Sequence, residues 1–223
     1  MPKPIIAVDM DEVIADALGE HLLRYNREFA HEPETPITRA SLHGRWIWDA
    51  VPPHRVRDLE RYMLSEDFFR VLPVMPHAQR VLAKLQTRYN VFIASAAMEV
   101  PSSFTPKYLW LAEHFPFIPT SHIVFCGDKS ILRADFLIDD NPRQLRLFQE
   151  AAATPAPTSR PEATPLTLSS RPEAAGRSGE TPVSASPPTT TREGILFTSP
   201  ANANITGYRR VNDWLDVETL FLS

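Results

Sequence analysis

The chain has 223 residues, 43% of them hydrophobic, and a formal net charge of −4, which suits one α/β domain with an insertion, or two small domains, with a real core. No dense Lys/Arg stretch accompanies that acidic balance, so polymeric nucleic acid is excluded as a main partner, while a small anionic ligand fits if a metal and a local cation offset the sign. A single cysteine, Cys126, excludes an internal disulfide framework and suits a reducing cytosol, and no apolar run reaches signal-peptide or transmembrane length, so a cytoplasmic protein with no membrane partner is expected.

Ile5-Ile6-Ala7-Val8 reads as a short buried strand of a parallel sheet covered on both faces. The run stops at Asp9-Met10-Asp11. In an extended chain the i, i+2 spacing puts both carboxylates on one side, where the chain leaves the sheet. Such a pair repels, and a hard divalent cation with oxygen ligands, Mg²⁺ above all, relieves it. Alone, the triplet suits a solvated Asp-rich turn equally well.

Residues Ile14 to Phe29 follow as a helix with Leu18, Leu22, Leu23 and Tyr25 on its apolar face, ended by Pro33 and Pro36. An irregular aromatic stretch, Ser41 to Trp48, precedes a second helical run from Pro53 to about Leu64. No strand-like alternation occurs before residue 75, so residues 14–75 read as a helical cap inserted after the first strand. Trp46, Trp48, Phe68 and Phe69 are assigned mainly to the core of that cap, with one or two available to face a crevice. His21, His43 and His54 lack partners at metal-ligand spacing and receive no role.

From Pro76 the pattern is regular: a helix through Ala78, Val81, Leu82 and Leu85, a strand at Val91–Ala94 ending in Ser95, and a helix from Pro106 to Phe115. A strand at Ile123–Cys126 leads to Gly127-Asp128-Lys129, and another at Phe136–Ile138 leads to Asp139-Asp140, with a helix from Arg143 to Glu150. Alternating short strands and helices predict a Rossmann-like parallel sheet. Residues 151–192 hold eight of the 22 prolines and no aromatic residue, a composition that predicts a disordered insert because it cannot bury enough surface to offset chain entropy. Gly194–Thr198 restores a strand, and a helix from about Asn212 closes the chain. The expected core is thus residues 1–13, 76–150 and 193–223.

In an open parallel sheet, ligands bind outside the carboxyl ends of the strands. Asp9 with Asp11, Ser95, Lys129, and Asp139 with Asp140 all stand there, each after its own strand. The set supplies what phosphoryl transfer from an ester needs: a carboxylate nucleophile, an acid/base, a metal site and cationic cover for phosphate oxygens.

The chain resembles the haloacid dehalogenase superfamily of phosphatases, and within it the 5′(3′)-deoxyribonucleotidase family. The matching pieces are Asp9-Met10-Asp11-Glu12-Val13-Ile14-Ala15-Asp16, Phe92-Ile93-Ala94-Ser95-Ala96, Lys107-Tyr108-Leu109-Trp110, Asp128-Lys129-Ser130 and Ala134 to Asp140, with Phe197-Thr198 and the closing Trp214 helix. The resemblance implies Asp9 as nucleophile and Asp11 as acid/base. It implies Mg²⁺ held by Asp9, the Asp11 carbonyl and Asp140 with Asp139 in support, and Ser95 and Lys129 on phosphate oxygens. The substrate implied is a nucleoside monophosphate; another small phosphate ester, or a non-catalytic interaction role, are the alternatives, and a homodimer is left open. The chain departs from the family pattern at Glu12 and Gly127, where Gly and Arg are common. It also departs at Ala96-Ala97, where a Ser-Pro pair is usual after the first hydroxyl residue, and at Ala17, where relatives place a base-pocket aromatic.

Overall fold

Strand β1 (Ile5–Val8) turns Ile6 and Val8 to one face of the sheet and Ala7 to the other, all fully buried, so the first apolar run serves two layers at once. This computed structural model describes residues 2–33, 35–153 and 192–223. After β1 come α1 (Ala17–Glu28), α2 (Ile47–Ala50) and α3 (Val56–Leu64), linked by short 3₁₀ turns, then α4 (Ala78–Arg88). Strand β2 (Asn90–Ser95), α5 (Phe104–His114), β3 (Ile123–Phe125), β4 (Phe136–Asp139), α6 (Pro142–Ala153), β5 (Glu193–Phe197), β6 (Arg209–Val211) and α7 (Trp214–Leu222) complete the order.

All the pairings are parallel, in the order β3-β2-β1-β4-β5-β6. The order reverses direction between β1 and β4, so the crevice of this sheet opens where Asp9 and Asp139 end their strands. On one face Ile6, Val8, Ile93, Ile138 and Ile195 pack with Val81, Leu82 and Leu85 of α4 and with Trp214, Val217 and Phe221 of α7. On the other, Ala7, Ala94, Leu137 and Leu196 meet Leu145 and Phe148 of α6. Each fully buried large apolar side chain contributes roughly 1.5–3 kcal/mol, so these two layers fix the strand ends that carry the site. Gly194 suits this packing: a Cβ there would stand 3.1 Å from the Leu145 Cβ, a tight contact that the leucine would have to relieve.

Helix α1 begins at Ala17, three residues later than the apolar pattern predicts. The Met10 carbonyl accepts N–H bonds from Ile14 and Ala15 at 2.9 Å each, and Met75 N–H donates to the Ile14 carbonyl at 2.9 Å. Ile14 and Ala15 are therefore buried by a loop pinned to residues 73–75, which periodicity cannot distinguish from a helix face. Asp16 then caps the helix by accepting from the Gly19 N–H at 2.7 Å. Helix α5 starts two residues before Pro106, and α6 runs on through Ala151–Ala153, good helix formers. The expectation of disorder for the remainder of the insert, residues 154–191, lies outside the described residues. Strand β6, short and bearing two arginines, was not foreseen from the sequence. Among the described residues no helix is long and apolar enough to cross a membrane.

Candidate active site

Two clusters of charge meet at the carboxyl ends of β1, β2 and β4. In the first, the buried Lys129 ammonium donates to Asp9 Oδ1 at 2.5 Å and to Asp139 Oδ2 at 2.6 Å. Gln144 of α6 holds the Lys129 loop by accepting from the Lys129 N–H at 3.2 Å and donating to the Gly127 carbonyl at 2.9 Å. Asp139 Oδ1 accepts the Asn141 N–H at 2.8 Å. Asp140 is buried beside them, its backbone carbonyl fixed by Asn202 Nδ2 at 2.8 Å, and Arg210 of β6 holds Asn202 Oδ1 at 2.9 Å. In the second cluster, the buried Lys107 of α5 pairs with Asp11 Oδ2 and donates to Ser95 Oγ at 3.1 Å, its ammonium 4.6 Å from the centre of the Phe69 ring.

The electrostatics are unbalanced. Asp9, Asp11, Asp139 and Asp140 face two ammonium groups, Lys107 and Lys129, which leaves two formal negative charges. Burial pushes the Asp9 carboxyl up to about 7, aided by Asp139 and Asp11 and opposed by Lys129. Burial, then Asp139 and Asp9, pushes Asp140 well above the usual carboxylate range. Lys129 is held above its ordinary value by the same two aspartates, against the effect of its own burial. Carboxylate oxygens of Asp9, Asp139 and Asp140 all lie within 4.8 Å of one another, and Asp140 Oδ2 is enclosed without a well-formed hydrogen bond, the Ser199 hydroxyl acting only weakly on that carboxyl. Hard oxygen donors, a poorly satisfied acceptor and an excess of two charges fit a divalent cation.

A cleft of about 240 Å³ adjoins the second cluster. Asp11, Lys107 and Glu12 border it, and Trp46, Trp48, Phe68 and Phe69 form much of its wall. Phe68 and Phe69 are buried and pack edge-to-face with ring centres 5.0 Å apart, whereas Trp46 is exposed at the rim. Phe68, Phe69 and Trp48 are thus cap core and cleft wall together, Trp46 is not core as expected, and all four line the cleft where one or two were expected.

Comparison with known proteins agrees with this arrangement. Residues 3–155 match the model of the family described as 5′ nucleotidase, deoxy (pyrimidine), cytosolic type C. The chain belongs to this family. A Staphylococcus aureus protein named "Putative 5′(3′)-deoxyribonucleotidase" is 39% identical over 222 residues, covering 100% of this chain and 97% of the relative. The 5′(3′)-deoxyribonucleotidase of Bacillus subtilis is 35% identical over 150 residues, 66% of this chain and 81% of the relative. A solved haloacid dehalogenase-like family hydrolase from Streptococcus pneumoniae shares the fold, with a TM-score of 0.50 at 11% identity over 98% of each chain. The protein is accordingly a phosphoric monoester hydrolase of the deoxyribonucleotidase-like, haloacid dehalogenase-fold kind.

Among the departures from the nucleotidase pattern, Glu12 is held by its local setting, and Ala17, Ala96 and Ala97 line the cleft. Glu12 adopts φ 60°, a left-handed conformation that glycine takes without steric cost. Its carboxylate recovers part of that cost by accepting the Leu18 N–H at 2.5 Å at the start of α1, and burial raises its pKa to about 7. A side chain at Gly127 would find open space. Lys107 was not assigned a role from the sequence because nothing in a single helix shows which way its lysine points. The available signal was Lys107 at the head of the family-like Lys-Tyr-Leu-Trp stretch, three residues before the buried Trp110.

Proposed function

We propose that the protein hydrolyses (deoxy)ribonucleoside monophosphates, using Mg²⁺ and an aspartyl-phosphate intermediate on Asp9. The observation that carries this reading is a buried, charge-unbalanced aspartate cluster beside an aromatic-walled cleft bordered by Asp11 and Lys107, with the Asp11 charge acting on Asp9. The charged clusters suit a phosphate and its cation, and the aromatic wall suits a nucleobase. The names of the relatives support the same substrate class.

In this reading Asp9 attacks phosphorus, the bond from phosphorus to the nucleoside oxygen breaks, and Asp11 gives its proton to that oxygen. Asp11 then takes a proton from the water that cleaves the acyl phosphate, which releases inorganic phosphate and restores Asp9. Lys129 holds Asp9 Oδ1 and favours the anion, leaving the second oxygen to attack. Ser95 and Lys129 bind phosphate oxygens, and Lys107 joins them. A phosphate dianion competes with Asp11 for the Lys107 ammonium, which leaves Asp11 able to carry its proton. Asp9, Asp140 and the Asp11 carbonyl would hold Mg²⁺, with Asp139 in support; bound there, the ion neutralises the excess charge and polarises phosphoryl oxygens.

Residues 14–75 serve in this account as a cap that sets specificity over the core of 1–13, 76–150 and 193–223, and the protein works in the cytoplasm. Phosphate release from a panel of deoxyribonucleoside, ribonucleoside and sugar monophosphates, with Mg²⁺ and with chelator, tests it. Mg²⁺-dependent release from nucleotides is expected. Full activity in chelator, or preference for sugar phosphates over every nucleotide, would overturn it.

A further inference from the structure

One group on the cleft wall has no role in the chemistry above. His21, in the second turn of α1, is only 5% exposed and lines the cleft. Its ring lies 4.6 Å from the centre of Phe68, edge-on to Trp48 at 5.3 Å and tilted to Tyr62 at 6.4 Å. Its Nδ1 is enclosed without a partner, and the imidazole makes no hydrogen bond to any described residue. Burial and the nearby Arg24 push its pKa down to about 4, with Asp11 acting weakly the other way, so the ring is neutral at physiological pH. A neutral imidazole carries one donor and one acceptor. Enclosing Nδ1 without a partner is costly, and such groups in folded proteins are as a rule completed by a water or a ligand, while the rest of the ring borders the cleft. An apolar side chain of similar size would pack better among these rings.

We propose that His21 is a specificity-determining residue that hydrogen-bonds the polar edge of the substrate's nucleobase while Trp48 and Phe68 flank its ring. This rests on the nucleotidase reading above and assigns the base contact to a named side chain. Position favours it. Ala17 and His21, one helical turn apart on α1, both border the cleft, and Ala17 leaves room where a larger side chain would intrude. The phosphate end is served by Lys107, Ser95 and Lys129, whereas His21 stands among the aromatics, so its contact discriminates between ligands without touching the reacting atoms. Being neutral, it pairs with carbonyl, amino or ring-nitrogen groups of a base and gives no electrostatic gain with phosphate.

The test compares wild type, His21→Phe and His21→Asn on deoxyribonucleoside monophosphates and on 2-deoxyribose 5-phosphate, which lacks the base. For His21→Phe we expect kcat/KM on at least one nucleotide to fall roughly 10- to 100-fold, as for a lost buried hydrogen bond. Turnover of the base-less ester should change less than twofold, and His21→Asn should recover part of the nucleotide loss. Should the base-less ester be too slow to measure, Kd values of the nucleotides and of inorganic phosphate in the presence of Mg²⁺ give the same comparison, with only the former weakened. Equal losses for ligands with and without a base would overturn the proposal in favour of a packing role. Unchanged nucleotide constants in both variants would show that only water completes the imidazole, and would overturn it too. Failure of the nucleotidase reading itself is seen separately, as wild-type protein that turns over no nucleotide at all.

Discussion

Replacing Asp140 with asparagine should stabilise the metal-free protein while it removes the response to metal. Asp140 is 5% exposed, its Oδ2 has no well-formed hydrogen bond, and Lys129 bonds to Asp9 and Asp139 but not to it. Two carboxylates no more than 4.8 Å apart repel by about 3.5 kcal/mol or more at an effective dielectric of ~20. Asp140 escapes part of this by holding a proton, in keeping with its strongly raised pKa, at about 1.4 kcal/mol per pH unit above that pKa. The asparagine amide removes the charge and can donate to a neighbouring carboxylate. A net gain of roughly 1–3 kcal/mol corresponds to a Tm higher by about 2–12 °C for a chain of this size. Wild type, in contrast, should gain about 2.7 kcal/mol at Mg²⁺ a hundredfold above its Kd, and the variant less than half of that shift. Differential scanning fluorimetry at pH 8, in EDTA and across a Mg²⁺ titration, reads both. A variant less stable than wild type in EDTA, or one with an undiminished Mg²⁺ shift, would refute the reasoning.

Three further outcomes follow from the same geometry. Asp9 has its pKa raised from 3.8 to about 7, so the native state binds the proton more tightly than the unfolded state does, and the associated stability is full below pH 3.8 and lost as pH rises through about 7. The Tm of the metal-free protein should therefore fall between pH 5 and pH 8 while the Mg²⁺-induced shift grows, because the ion displaces a proton; a flat metal-free Tm would contradict this. Asp11→Asn should lose roughly 10²–10⁴ in kcat with its thermal shift by Mg²⁺ retained, and near-normal turnover would remove Asp11 from the chemistry. Lys107→Met should lose roughly 10²–10³ in kcat/KM with little change in Tm, since its partner Asp11 is a third exposed; steady-state kinetics beside a melting curve separates these effects.

What could be read in advance divides along physical lines. Strand β1 and its terminal aspartates were legible because an apolar run that breaks at charged residues is a local signal, and the chain's alternation supplied the parallel sheet. That sheet alone brings Asp9, Ser95, Lys129 and Asp139 to one edge. Partnership was not legible. The sequence put Ser95 and Lys129 at strand ends, but did not show that Ser95 bonds to Lys107 while Lys129 lies between Asp9 and Asp139. Which lysine reaches which carboxylate depends on helix rotation and loop course over separations such as 96 residues for Lys107 and Asp11. Arg210 was hidden for another reason: a three-residue strand with two arginines has no apolar signature, although it braces Asn202 and, through it, the Asp140 carbonyl. His21 was passed over because its character comes from aromatic neighbours on other elements.

The most direct test of the account is to find the phosphate on the enzyme. Wild type and Asp9→Asn are mixed with a ³²P-labelled deoxyribonucleoside monophosphate and Mg²⁺, quenched in acid during turnover, and digested for peptide mapping. The account predicts label on the peptide that contains Asp9 in wild type, its discharge on treatment with base or hydroxylamine as an acyl phosphate requires, and none in Asp9→Asn, which should also release no phosphate. Phosphate release by a folded Asp9→Asn protein, or label on any other residue, would contradict it.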